Sequence, residues 1–170
     1  MQVTEVLDVL ATLYRASDHP DHEAVERYGR DTTAGEQSPP GVRVTHRSGS
    51  SALLAATSSP RPAPKSVPLP AEMPPPAQRA IRMLAFTTRL LDFARPAAFA
   101  EWDTCDLPGV WLSPSALRIK CADGATVYLH VTVAAGSGRE PEVDPHPDYR
   151  FPEGVRTCLP AVSAAHAERA

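Results

Sequence analysis

Apolar residues near the start of the chain recur at the helical period. At about 100° per residue, Val3, Val6, Leu7, Leu10, Leu13 and Tyr14 fall on one face, while Glu5, Asp8, Thr12 and Arg15 fall on the other. This pattern predicts a core-facing amphipathic helix. Ser17 or Asp18 then caps a predicted second, short helix through Ala24, Val25 and Tyr28, with Pro20 in its first turn and Gly29 as terminator. Past the turn Ser38-Pro39-Pro40-Gly41, the pattern changes to alternation. Gly41 to His46 and Ser51 to Thr57, joined by Arg47-Ser48-Gly49-Ser50, read as a β-hairpin.

A similar plan recurs further on. Ala77 to Ala94 carries good helix formers with no internal glycine or proline, and Pro96 closes it. This helix is apolar on more than one side. Trp102 to Pro108 reads as a loop, and Val110 to Leu112, Ala116 to Cys121 and Thr126 to Ala134 read as strands. The last two are linked by Ala122-Asp123-Gly124-Ala125, where Asp-Gly suits a tight turn. In the final strand Val127, Leu129, Val131 and Val133 face one way and Tyr128, His130 and Thr132 the other, so one face is expected to be buried, on the long helix.

The predicted fold is α+β, with amphipathic helices packed on antiparallel hairpins. Its organisation is a helical pair plus hairpin over 1–59, a proline-rich spacer over 60–76, a long helix plus strands over 77–135, and a proline-rich arm and tail over 136–170. The 19 prolines of the 170 residues gather in the spacer and in the tail, so these regions are expected to be extended or disordered, and the prolines of Gly136 to Gly154 exclude helix and central strand there. Tyr149 and Phe151 favour an arm laid over the domain, since aromatic side chains gain from burial. Residues 161–170 read as a frayed helix.

The formal net charge of −3 is too small to mark the whole chain as a polyanion binder, but it is unevenly spread. Residues 1–31 carry about −4, 32–76 about +2, 77–95 about +3 and 96–170 about −4. The positive charge therefore sits on the long helix. Cys105, Cys121 and Cys158, an odd number at unrelated spacings, suit reduced thiols and a cytoplasmic location. Near-exclusive use of Arg over Lys, with abundant Ala, matches a GC-rich bacterial genome. No leader pattern and no stretch of membrane-span length is present, so no membrane contact is expected.

Candidate chemistry is sparse. His19 and His22, among Asp18, Asp21, Glu23 and Glu26, have the residue types of a metal site, but acidic residues near a helix start need no metal to explain them. Cys105 with His130 or His146 would be a thiolate–imidazole pair, yet Asp103 and Asp106 beside Cys105 would raise its pKa rather than activate it. Arg47-Ser48-Gly49-Ser50 lacks both the nucleophile elbow and the phosphate loop. No catalytic residue, metal ligand or cofactor is assigned, and a small metal- or cysteine-dependent enzyme is the least favoured reading.

The long helix carries the main candidate. Arg79, Arg82 and Arg89 fall within about a quarter of its circumference, with Phe86 and Phe93 among them. Exposed, such a stripe suits an acidic protein surface, a phosphate backbone or stacked bases. The competing arrangement buries Phe86 and Phe93 while the arginines snorkel around them. The first expectation is a non-enzymatic bacterial interaction or regulatory protein that docks an acidic protein partner through this face. The alternative is a nucleic-acid-associated accessory or transcriptional regulatory factor, against which stands the acidic N-terminal segment. A helix apolar on several sides also allows for a homo-oligomer.

Overall fold

The computed structural model describes residues 1–58 and 63–160. Helix α1, Val3–Ser17, forms where the apolar stripe predicts it. The Glu5 side chain accepts the Gln2 N–H at 2.6 Å, which satisfies one of the free donors at the helix start. Asp18 ends it in the left-handed region, φ 44°, a conformation Asp tolerates better than most residues. The chain then forms three strands, β1 (His22–Tyr28), β2 (Gly41–His46) and β3 (Ser51–Thr57). A two-residue strand β4, Lys65–Ser66, follows in the spacer. Helix α2, Arg79–Ala94, leads into β5 (Phe99–Asp106), β6 (Ala116–Cys121) and β7 (Thr126–Ala134), and a one-turn helix α3, Gly154–Thr157, lies near the end.

All strands join one antiparallel sheet in the order β1-β2-β3-β7-β6-β5-β4. The chain is therefore α+β, a helix and three-stranded meander repeated, with the last strand of each meander paired to the other at β3–β7. On the face toward the helices, Val42 sits opposite Leu54 and Leu54 opposite Val131, while Ala56 sits opposite Leu129 and Leu129 opposite Leu117. These side chains and those of α1 and α2 form a single core, so the two meanders fold around shared apolar surface. Tyr14 of α1 and Thr87 of α2 are hydrogen-bonded inside it at 2.6 Å.

Three local expectations are corrected. Residues 22–28 are the edge strand β1, not a short helix. A register shift between His22 and Ala24 breaks the two-residue period, so Ala24, Val25 and Tyr28 mimic helical spacing. Trp102 to Asp106 belongs to β5 rather than to a loop. Its charges looked solvated, but Asp103 and Glu101 are paired across the ladder with Arg118 and Lys120. Val110 to Leu112 is not a strand. Gly109 at φ 78° and Pro114 interrupt the ladder and leave Trp111 94% exposed.

The arm packs along α2. The Gly138 N–H donates to the Ser48 carbonyl, the Ala77 N–H to the Pro141 carbonyl, and the Tyr149 hydroxyl to the Ser17 carbonyl at the end of α1. Phe151 packs on Phe86 and Phe93, with ring centroids 5.4 Å from each. The second apolar side of α2, which suggested another subunit, is thus covered by the chain itself. The tail beyond 160 lies outside the described residues, and no helix among those described is long and apolar enough to cross a membrane.

Candidate functional site

The site is built where α1 ends, β1 begins, α2 passes and the arm crosses. Asp18 turns the chain sharply, which places His19 and Asp21 over the N-terminal half of α2, and β1 then brings His22 beside His46 of β2. Arg79 lies 4% exposed between two carboxylates: its Nη1 donates to Asp21 Oδ2 at 2.7 Å and its Nη2 to Glu140 of the arm. One turn on, Arg82 grips Asp144 with both terminal nitrogens, at 3.1 and 3.0 Å, and donates to the Pro74 carbonyl at 2.7 Å. Such charge-assisted pairs match guanidinium geometry and hold spacer and arm against α2.

The stripe expected on the outside of α2 is therefore largely interior. Arg79, Arg82 and Phe86 are buried, Phe93 is half-buried, and Arg89 is exposed. The reason is electrostatic: a buried guanidinium requires a carboxylate partner, and the arm supplies one to each. The charge asymmetry between 77–95 and the C-terminal region, read as a sign of an external partner, is in large part neutralised within the chain. Asp21, Glu140 and Asp144 were not recognised as a set, although the opposed charges of these segments were the available signal.

Against this ionic layer lies a row of imidazoles. His146 of the arm, His19, His22 and His46 follow one another with ring centroids 5.8, 4.7 and 5.4 Å apart. Tyr149 stacks on His19 at 4.4 Å, and Phe86 stands edge-on to His19 and His22. Burial and the nearby Arg82 pull His19 down to about 4, and burial together with His19 and His46 holds His22 well below the ordinary imidazole value. Burial opposes ionisation of Asp21, but His46 and Arg79 outweigh it and keep its carboxyl far below the usual range. His46 is fully buried, and its Nδ1 stands 3.4 Å from Asp21 without hydrogen-bond alignment.

The metal reading of His19 and His22 gains nothing from this geometry. Among the described residues no three His, Cys, Asp or Glu side chains converge as a metal would require, and Arg79 already occupies the Asp21 carboxylate. The thiol candidates are not assembled either. Cys105 and His130 flank Ala116 in one row of the sheet, while His146 lies with His19 on the arm side. Burial pushes the Cys105 thiol up to about 11, far from a thiolate at neutral pH.

Beside the imidazole row, a groove of about 340 Å³ opens between α2 and the arm. Phe86, Phe93, Tyr149 and Phe151 give it aromatic walls, and Arg89 and Arg150 stand at it exposed. The hydrogen bonds of these two arginines go to main-chain oxygens, Ala71 and Tyr149. Its volume lies at the lower end of the range for ligand sites, enough for one or two side chains of a partner. Comparison with protein families, with characterised proteins and with solved structures finds no match to this chain.

Proposed function

We propose that the protein is a non-enzymatic interaction module, acting in regulation, whose groove between α2 and the arm takes an acidic segment of a partner protein anchored by an apolar side chain. The observation that carries this reading is the pairing of aromatic walls with two exposed guanidiniums, Arg89 and Arg150, that have no carboxylate partner among the described residues. Aromatic anchors in such grooves supply most of the binding energy, and rim arginines select the sign of the partner's charge. A bacterial cytoplasm suits the three free cysteines.

The nucleic-acid reading uses the same arginines and stacking faces. It is the weaker of the two, because Arg79 and Arg82, two of the three arginines expected to contact phosphate, are committed to Asp21, Glu140 and Asp144. A fluorescence-anisotropy titration separates them, using short acidic peptides with a single central Phe, Trp or Leu beside a single-stranded oligonucleotide. The expected result is saturable peptide binding that is lost in Arg89→Glu/Arg150→Glu, with no oligonucleotide binding above low salt. Oligonucleotide binding abolished by the same substitutions, with no peptide bound, would transfer the groove to the alternative.

A further inference from the structure

The imidazole row is the second unusual feature of this region, and the groove alone does not account for it. Four histidines line up from the arm to the end of β2, and at the two in the middle, His19 and His22, burial disfavours the charged form. His19 Nδ1 accepts the Asp21 N–H at 3.1 Å, so a proton added to that nitrogen would face a donor and the bond would break. His22 Nδ1 and both His46 nitrogens are buried without a partner. Apart from Phe86, which stands against His19 and His22, the row is surrounded by charged and titratable groups, among them Arg15 of α1 and Glu23 of β1. From α2 come Arg79 and Arg82, from the turn after α1 Asp18 and Asp21, from α1 the Tyr14 phenol, and from the arm Glu140, Asp144, His146 and the Tyr149 phenol. The carboxylates that would stabilise an imidazolium, Asp21 and Asp144, are engaged by Arg79 and Arg82.

The arm is held by this layer together with its main-chain contacts to Ser48 and Ala77, the Tyr149 hydroxyl on the Ser17 carbonyl and the packing of Phe151 on Phe86 and Phe93. Glu140 pairs with Arg79, Asp144 with Arg82, and His146 and Tyr149 pack on His19. We propose that residues 139–151 form an acid-released latch: protonation of His19, the imidazole on which His146 and Tyr149 pack, undocks the arm and removes one wall of the groove, so that partner binding is switched off as the pH falls. Only the last consequence rests on the partner-binding reading of the groove.

The sign follows from which state binds more protons. Burial and Arg82 hold His19 near 4 while the arm is docked, Tyr149 and His146 of the arm supplying part of that burial, whereas a hydrated imidazole titrates near its ordinary 6.5. Docking is therefore complete above about pH 6.5 and weakens as the pH falls toward 4. That difference sets an upper limit on the order of 10²-fold on the change in the docking equilibrium from His19, since Arg82 stays on α2 when the arm leaves. Asp144 and Glu140 act in the same direction at lower pH, since each is held below its ordinary value despite burial, by Arg82 and the His146 N–H in one case and by Ser50, Arg79 and Ser48 in the other.

The test is hydrogen exchange by mass spectrometry on the full chain at pH 7.5 and pH 5, corrected for intrinsic rates, with the imidazole ¹³C shifts of the same protein titrated by NMR. Exchange in 139–151 should rise severalfold at pH 5 while α1, β3 and β7 stay protected, and the His19 shift should move with it. His19→Asn keeps an acceptor for the Asp21 N–H but cannot titrate, and should shift release to lower pH. An arm that stays protected, or that opens only together with the core, overturns the latch; so does histidine titration with no change in the arm. Anisotropy with the acidic peptides at both pH values keeps the two readings apart. Release of the arm without peptide binding at pH 7.5 supports the latch and removes the groove reading, whereas peptide binding that persists at pH 5 with a docked arm does the reverse.

Discussion

Tyr14 and Thr87 join the two helices through one buried hydrogen bond whose direction is determined. The Thr87 hydroxyl donates its single proton to the Met83 carbonyl at 2.6 Å, so at the Tyr14 contact, also 2.6 Å, it accepts. Burial accordingly pushes the Tyr14 phenol well above its ordinary value, only partly offset by Thr87. Tyr14→Phe leaves the packing intact and removes the donor. It should cost about 1–2 kcal/mol. Urea unfolding of Tyr14→Phe, Thr87→Val and the double variant will show whether the coupling belongs to this pair, in which case the double variant costs less than both singles combined.

Arg79 and Arg89, three turns apart on α2, should behave oppositely when each is replaced by Met. Arg79→Met leaves Asp21 and Glu140 without their shared cation in a buried setting and should lose about 3–5 kcal/mol. Arg89→Met removes an exposed side chain bonded to one main-chain oxygen and should change stability by less than about 0.5 kcal/mol. Paired denaturation curves decide this, and equal losses would mean that the burial difference between the two positions is wrong.

Gly136 marks the start of the arm, where the backbone of the β2–β3 turn leaves no room. A Cβ there would stand 2.2 Å from Gly49 C and Ser50 N, main-chain atoms that cannot swing aside. Gly136→Ala should therefore destabilise by about 1–3 kcal/mol through forced backbone shifts. At Gly124 the space is open and only the φ of 87° opposes a side chain. Gly124→Asn, whose side chain tolerates that region, should cost a few tenths of a kcal/mol. Thermal melts of both variants separate close approach from backbone conformation.

Global stability should fall in two stages on acidification. From about pH 6.5 downward, His19 and His22 must take up protons that the native state resists, and His19 alone accounts for up to about 3 kcal/mol by pH 4. Below about 4.5 the depressed carboxylates Asp21, Glu140 and Asp144 lose their contribution as well. The urea midpoint plotted against pH should show both stages. A midpoint flat between pH 7 and 5 would remove the histidine stage.

Helices α1 and α2, the β2–β3 hairpin, the β6–β7 hairpin and the α+β class were legible in the sequence, because each rests on local periodicity and turn chemistry. What sequence reading missed was lost for identifiable reasons. In β1 a bulge disguised the strand period, and in β5 acidic residues that resembled a solvated loop have their cations one strand away, in Arg118 and Lys120. Burial of Phe86 and Phe93 was one of the two arrangements the α2 stripe allowed, but burial of Arg79 and Arg82 was not visible, since the arm carboxylates that make it tolerable lie some sixty positions later, with 61 between Arg79 and Glu140 and 62 between Arg82 and Asp144. By itself the sequence determined the two long helices, the alternating hairpin strands, where the prolines gather and that positive charge gathers on α2. Only the tertiary structure decided which charges are paired and which remain free, because burying a guanidinium or an imidazole depends on partners brought together by β3–β7 pairing and by the arm, and neither contact leaves a local pattern in the chain.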